Sequence, residues 1–570
     1  MQAYLQYRRI GHAVHRQLDD HPEWIQAGVQ EPKDLPEASQ GLNSGSPGMN
    51  ETQQQSSPSH VTTHPLPGIQ LIEKADSNGL SQVFLVGWDH EEDPINPRNY
   101  SFATRISATL IVSTLGFIVG AASSIESGVL LQNSTTFHVS EVVASLATGV
   151  YLIGFGVGSL ASGPLSEIFG RNAVYAGSLS LFMIFIMASG LAPNISAQLV
   201  FRFLAGVFGC PPLTCCGGTI ADIWNPLEKT FGFPLYAVFS FGGPVLGPVI
   251  ASYMGEGTLS WRWTNWIILI TSGLVLALIV LFQPETYPPL LLKWKAHHFR
   301  YLTGDQRYQS EMDLDRTALF SRINTACVRQ FSLTFREPII LLITLYMNVV
   351  YIVIFTFFVG YPYIFSDVYD ISQGLTNIVW VAMYIGIALV GLFVPWVYSR
   401  TKREFLKTVA ASSLAISSSD NGDVGDVPRK KTHSTRPENR LWYAMIGAPA
   451  IPIGLFWMGW TDYSTISIWC PILASTLFGF GCICIFLSSY MYVIDAYDIY
   501  AASALGFMTV SRYCAAGGMT IVGIPFYSNM GVHWTLTILG VISAIMTPVP
   551  YVFWRFGEVI RGWSRYAVST

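Results

Sequence analysis

The chain has 570 residues, of which 51% are hydrophobic and 12% charged, whereas a soluble domain carries about 25% charge. The apolar excess is too large for one water-soluble core and is concentrated after residue 103. A formal net charge of −4, with no Lys/Arg-rich stripe beside exposed aromatics, argues against a nucleic-acid partner.

Met1 to Ile10 is rich in Tyr and Arg and lacks the apolar run of a cleavable signal. Targeting then falls to the first membrane span. Residues 25–80 are rich in Ser, Gln, Pro, Asn and Gly, a composition that cannot bury enough apolar surface to fold. It predicts a mostly disordered tail over 1–85 within a cytoplasmic region 1–100.

Twelve apolar blocks follow, each near the roughly 20 residues that cross about 30 Å of hydrocarbon. They are 103–125, 139–162, 173–192, 198–220, 231–254, 263–283, 338–361, 375–399, 441–461, 466–490, 500–524 and 533–554. The expected fold class is an all-α membrane protein with twelve transmembrane helices in two six-helix halves, 101–283 and 338–555. A central loop 284–337 separates the halves, an insertion 400–440 interrupts the second, and a tail 556–570 follows. The insertion holds Ser417-Ser418-Ser419-Asp420-Asn421-Gly422, which reads as a mobile stretch.

The basic residues orient the chain. Of 32 Lys and Arg, seven lie up to Arg105, eight in 284–337, nine in 400–440 and three from Arg555 onward. With Arg171 and Lys229 in short loops, 29 fall on one predicted side. Lys and Arg accumulate in cytoplasmic loops, so both termini are expected in the cytoplasm. The sequons Asn133-Ser134-Thr135 and Asn194-Ile195-Ser196 then fall in external loops, making Asn133 and Asn194 candidate glycosylation sites.

No enzyme constellation emerges. A phosphate loop of the G-x-x-x-x-G-K-[ST] type is absent from the sequence. Seven of the eight cysteines lie in or beside apolar blocks without His/Cys partners, so no metal or cofactor is expected. His297-His298, in the central loop, reads as a solvated pair.

Charges inside the spans stand out, because each costs at least about 2.5–3.5 kcal/mol near the bilayer centre. Arg202 lies in span 4, either as a functional charge or as an anchor that snorkels outward. Arg512 lies near the middle of span 11, where an interhelical hydrogen bond and a substrate role are equally open. Glu126 and Glu141 fall near the outer ends of their spans, and Glu167, Asp222, Asp495 and Asp498 at cytoplasmic ends. With no carboxylate expected at mid-membrane, an exclusively cationic cargo is disfavoured.

Gly243-Pro244 and Gly247-Pro248 lie four residues apart on one face of span 5, which suits a hinge or seal between halves. The second half carries Tyr346, Tyr351, Phe355, Tyr361, Trp380, Tyr384, Trp457 and Tyr490, with Asn348 among them. Mixed aromatic and polar groups suit an amphipathic organic ligand. Asn348, Tyr351, Trp457 and Tyr490 are the cavity candidates, with a lipid-facing position open for each aromatic.

The stretch Gly163-Pro164-Leu165-Ser166-Glu167-Ile168-Phe169-Gly170-Arg171 resembles the loop between spans 2 and 3 of the major facilitator superfamily. Glu167 stands where Asp is usual, and Asn172 where a base is usual. The resemblance narrows to the fungal twelve-span drug:proton antiporter branch. It rests on Asp93-Pro94-Ile95-Asn96-Pro97-Arg98-Asn99-Tyr100, Arg202-Phe203-Leu204-Ala205-Gly206 and Gly217-Gly218-Thr219-Ile220-Ala221-Asp222-Ile223-Trp224. Gly243-Pro244-Val245-Leu246-Gly247-Pro248, Trp261-Arg262-Trp263, Pro284-Glu285-Thr286-Tyr287, Arg336-Glu337-Pro338 and Asp495-Ala496-Tyr497 extend it.

The resemblance implies alternating access by two halves and proton-coupled efflux of a drug or fungal secondary metabolite. It places Arg202 at the position linked to proton coupling, although Ala205 stands where Gln is frequent. It makes Gly163, Glu167, Gly170 and Arg171 a loop latch, and the span 5 motif that of antiporters rather than importers. The partners expected are a small organic substrate, protons and the lipid bilayer of the cell membrane or an internal membrane, with the chain acting as a monomer. A proton-coupled importer of a nutrient or polyamine, and a transport-inactive receptor or sensor, remain as alternatives.

Overall fold

The computed structural model describes residues 1–20, 62–63, 66–76, 79–252, 254, 259–314, 319–418, 436–497, 500–564 and 566–567. The greater part of the expected disordered tail, the stretch 419–435 of the insertion, and Asp498 lie outside these residues.

Eleven continuous helical runs among the described residues are long and apolar enough to cross a bilayer. The last, Ala501–Gly562, has 62 residues, far more than the roughly 20 of one crossing. Gly531 within it takes φ 73°, ψ 167°, outside helical geometry. It therefore divides into span 11 (501–530) and span 12 (532–562), and the total is twelve. Spans 1–6 are Phe102–Phe137, Glu141–Phe169, Arg171–Gly190, Ile195–Ile223, Lys229–Ile250 and Trp263–Phe282. Spans 7–10 are Pro338–Tyr369, Gln373–Lys407, Pro437–Trp460 and Trp469–Tyr497.

Local chemistry sets several starts. The side chains of Ser101, Ser140, Asn194 and Ser372 each accept a backbone N–H of the first turn, replacing bonds a helix start cannot make internally. Pro338 opens span 7, where its missing N–H costs nothing. Between spans 2 and 3, Gly170 takes φ 89°, a conformation that favours glycine.

The two halves meet along tight seams. A Cβ on Gly149 would press on Thr520 and the Gly517 carbonyl, and one on Gly517 would meet the Gly149 carbonyl at 2.7 Å. Spans 2 and 11 thus approach backbone to backbone, as small residues permit in membrane bundles. At the basic end, where the two long connections emerge, Arg440 of span 9 donates to Pro226 O (2.6 Å) and Thr230 Oγ1 (2.5 Å) in the first half. At the far end, Gln373 and Asn377 of span 8 donate to Gly128 O at 2.8 and 3.3 Å.

The polar connections are partly structured. An amphipathic helix, Leu319–Arg336, ties both halves at the basic end. Its Gln330 donates to Leu160 O of span 2 (3.2 Å), and its Arg329 to Ser503 Oγ of span 11 (2.9 Å).

A second unit is formed by residues 3–100 and 287–317. Its elements are α1 (Gln2–Asp19), β1 (Thr62–Thr63), β2 (Ile69–Asp76), β3 (Gly79–Val86), α2 (Pro288–Thr303) and β4 (Tyr308–Gln309). The sheet order is β1-β2-β3-β4, antiparallel except for β3–β4. Ile10, Val14 and Leu18 of α1 pack with Ile69, Phe84, Leu291 and Phe299 in its own core. The expected tail is thus folded at both ends, because apolar residues far apart in sequence meet there.

The Asp93–Tyr100 motif acquires a physical role in this unit. The Asp93 carboxylate accepts from the N–H groups of Asp89 (3.1 Å) and Ile95 (2.8 Å), and Asn99 donates to Glu91 O (2.8 Å) and Asp93 O (3.0 Å). Asp93 and Asn99 thus hold the turns of this segment, and Asn96 accepts from Arg98 N at 3.2 Å. His297 is exposed, with its Nδ1 3.1 Å from the Tyr7 hydroxyl, whereas His298 is partly buried against the Tyr7 ring.

Candidate functional site

The cavity at the centre of the bundle draws its walls from both halves. Gly120, Ser123, Phe155, Leu213, Tyr236, Ser240 and Phe241 come from the first, and Tyr351, Phe355, Phe486, Arg512 and Tyr513 from the second. Its free volume is about 30 Å³, and no Asp or Glu lines it among the described residues.

Arg512 is its one charged wall residue among the described residues. Its guanidinium lies 4.6 Å from the ring centre of Tyr351, 4.9 Å from Tyr513, 5.2 Å from Tyr490 and 5.6 Å from Phe486. Aromatic faces attract a cation, most strongly where water is excluded. Nε and Nη1 are buried without a hydrogen-bond partner among the described residues. The guanidinium also has a side-chain hydrogen bond with Tyr490 of span 10, so these two nitrogens are the part of it left unsatisfied.

The four cavity candidates separate. Tyr351 lines the cavity and Tyr490 completes the ring cage. Asn348 donates to Ser511 Oγ at 2.8 Å and is not among the wall residues. Trp457 is 38% exposed on the outside of the bundle, so it does not belong to the cavity. Helical periodicity placed these side chains along their helices, but which face turned inward depended on the neighbours.

Arg202 is fully buried, which excludes snorkelling. Its Nη2 donates to Ala122 O of span 1 at 2.9 Å, and its guanidinium lies 4.9 Å from the Tyr151 ring centre. Nε and Nη1 have no partner among the described residues. One turn along span 4, Gln198 donates to Glu126 Oε2 at 3.4 Å. Asn133 donates to the same oxygen at 2.6 Å and Asn265 to Oε1 at 2.9 Å. A 3₁₀ stretch, Ile125–Val129, interrupts span 1 here, and Glu126 is 2% exposed. Sequence reasoning read Glu126 as an end-of-helix residue. The amides Asn133, Gln198 and Asn265 were the signal available, but they lie on three separate segments.

That arrangement corrects one glycosylation candidate. Asn133 is 1% exposed and its amide nitrogen is engaged by Glu126. Asn194 is exposed and caps span 4 through Ala197 N at 2.8 Å.

The loop latch is built differently from its expectation. Arg171 Nε pairs with Asp222 Oδ2 of span 4 at 3.3 Å, and its Nη1 donates to Ser166 Oγ. Glu285 accepts from Arg171 N (3.0 Å) and Asn172 N (3.2 Å), a carboxylate at the positive start of span 3. Gly163 sits inside span 2 with open space around it, whereas the reversal occurs at Gly170. Glu167 is half-buried near the end of span 2.

The glycines of the span 5 motif seat span 1, while Pro244 and Val245 line the central cavity between the halves. A Cβ on Gly243 would overlap the Phe117 carbonyl, and one on Gly247 would meet Ser124 Oγ and the Ala121 carbonyl. Pro244 packs on Gly120, while Pro248 lies beside Gly128. Contact with the other half comes from the neighbouring Gly242, beside Tyr384 of span 8.

Twelve spans in two halves, closed around a central charged cavity, define a helical membrane transporter. The chain belongs to the major facilitator superfamily, whose family pattern matches residues 109–419. It is 45% identical to the MFS-type transporter kojT of Aspergillus flavus, over 98% of this chain and 99% of that protein. The MFS-type efflux pump MFS2 of Trichophyton rubrum is 33% identical over 89% of this chain and 80% of its own length. The citrinin biosynthesis cluster MFS transporter mrr1 of Monascus ruber is 33% identical over 85% and 93%. Among solved structures, the proton:xylose symporter XylE bound to 6-bromo-6-deoxy-D-glucose superposes with a TM-score of 0.55 at 14% identity. That match covers 80% of this chain and 96% of XylE, and it establishes the shared fold.

Proposed function

We propose that this protein exports a small organic compound in exchange for protons, its central cavity opening alternately to the two sides of the membrane. The observation that carries this reading is the cavity itself: both halves build it, and contacts between halves close the bundle at each end. Names of relatives support the direction, since one is called an efflux pump and another belongs to a biosynthesis cluster.

For the proton, the reading uses Glu126 and Arg202. An arginine keeps its proton in proteins, so the exchangeable proton needs an acid. Glu126 is buried among three amide donors. Arg202 holds span 4 to span 1 at Ala122, one turn before Glu126. Protonation of Glu126 would change how it accepts from Gln198 of span 4 and Asn265 of span 6, and so how these spans are held to span 1.

The driving force suffices. A 100 mV potential supplies about 2.3 kcal/mol per proton and a pH unit about 1.36, together sustaining a gradient of roughly several hundredfold. Both termini lie in the cytoplasm in this scheme, supported by the 29 basic residues on one side. A single chain completes the cavity, so a monomer transports.

The test is expression in an efflux-deficient host, measuring retention of neutral, anionic and cationic compounds with and without an uncoupler. Lower retention of some compounds, restored by the uncoupler, is expected. Equal retention in expressing and empty cells, with the protein at the surface, would overturn export.

A further inference from the structure

The chemistry of the central cavity narrows the cargo. Arg512 is 1% exposed, carries a charge that cannot be discharged in a protein, and forms part of the cavity wall. The ring cage stabilises that charge through the faces of Tyr351, Phe486, Tyr490 and Tyr513 but leaves N–H donors unmet at Nε and Nη1. Buried donors without acceptors are rare in folded proteins and call for an explanation. Ser240 of the first half is a further polar wall residue. Among the described residues, no wall carboxylate competes for the guanidinium.

We infer that the cargo is a small planar organic acid bound as its anion, its acidic oxygens on Arg512 and its ring among the cage aromatics. Charge-assisted hydrogen bonds to an oxyanion satisfy the two orphan nitrogens and neutralise the Arg512 charge. A flat ring matches walls that are themselves aromatic, through stacked or edge contacts. A cationic cargo would place a second positive charge beside Arg512 with no anion to offset it. This inference rests on the transport reading above and adds the cargo class to it.

The experiment is equilibrium binding to the purified full-length protein, before any transport is measured. The probes are 1-naphthoate, 1-naphthamide, 1-naphthylmethylamine and the non-planar cyclohexanecarboxylate. Naphthoate is expected to bind at least about tenfold more tightly than the amide, from one charge-assisted bond gained, and the amine most weakly. Arg512→Gln should bring naphthoate and amide to equal affinity while retaining amide binding, and Arg512→Lys should keep part of the preference. Equal wild-type affinity for acid and amide would overturn the inference, as would a preference that survives Arg512→Gln. Cyclohexanecarboxylate binding as tightly as naphthoate would overturn its planar part. If Arg512→Gln does not fold, the wild-type comparison still decides. Proteoliposomes then separate the two claims. Arg512-dependent naphthoate binding without proton-driven transport overturns export and leaves the site standing. Proton-driven transport with no preference for the acid overturns the site and leaves export standing.

Discussion

Arg440 donates from Nε to Asp495 Oδ2 at 2.6 Å, joining the start of span 9 to the end of span 10. The same guanidinium reaches Pro226 O and Thr230 Oγ1 in the other half, so one side chain ties an ion pair within a half to a contact between halves. Arg440 is 2% exposed, and removing one member of a buried pair leaves the other charge without compensation. Arg440→Ala should therefore destabilise the protein by about 3 kcal/mol and slow transport. Asp495→Asn in the same chain should recover part of the melting temperature. No recovery in a thermal melt would show that the charge pair is not the source.

The buried carboxylate at the far end of span 1 should govern the response to protons. Glu126→Gln keeps the shape of the side chain but cannot exchange a proton. It should reduce the dependence of efflux on a pH gradient by at least about tenfold, a loss of roughly 1.4 kcal/mol of coupling. Arg202→Ala should do the same. Initial rates across a series of external pH values, with surface expression measured alongside, decide it. Unchanged pH profiles would reduce both residues to structural roles.

Glycine substitutions should divide by what a methyl group meets. Gly243→Ala would drive Cβ into the Phe117 carbonyl, part of a backbone that cannot rotate away. Overpacking of this kind costs about 1–3 kcal/mol. Gly170→Ala should cost a similar amount because φ is 89° there, a region L side chains avoid. Gly163→Ala meets nothing within 4 Å inside a helix and should be neutral or slightly stabilising. Melting temperatures of the three variants in one detergent test the ranking.

Asp462, in the loop between spans 9 and 10, has both carboxylate oxygens buried without hydrogen-bond partners among the described residues. Tyr369 and Tyr527 lie near it, and burial pushes its carboxyl up to about 7. The folded protein then binds a proton more tightly than the unfolded chain. Stability is fully present below the unfolded value of about 4 and falls as pH rises towards 7. Asp462→Asn should flatten that decline, so that its advantage over the wild type grows from pH 5 to pH 8. Parallel melting curves across that range would rule the effect out.

Much of the architecture was legible in the order of residues. A span is written as an uninterrupted apolar run, because every backbone polar group in lipid must be satisfied within its own helix. The twelve runs, the central division and the clustering of basic residues needed no structure. The break between spans 11 and 12, continuous by helical pattern alone, lies at a single glycine, Gly531. Individual positions within spans were less readable. The uniform apolarity that marks a span hides which face turns inward, and so Trp457 and Tyr351 looked alike.

The sequence by itself determined that two buried arginines needed an explanation, since an isolated charge in lipid is too costly to be incidental. Only the tertiary structure decided what surrounds them. Arg512 meets side chains from spans 7, 10 and 11, and the Glu126 cluster beside Arg202 draws on residues 126, 133, 198 and 265. Local sequence sets helix formation through short-range hydrogen bonds. A cage assembled from distant helices exists only once the bundle has packed.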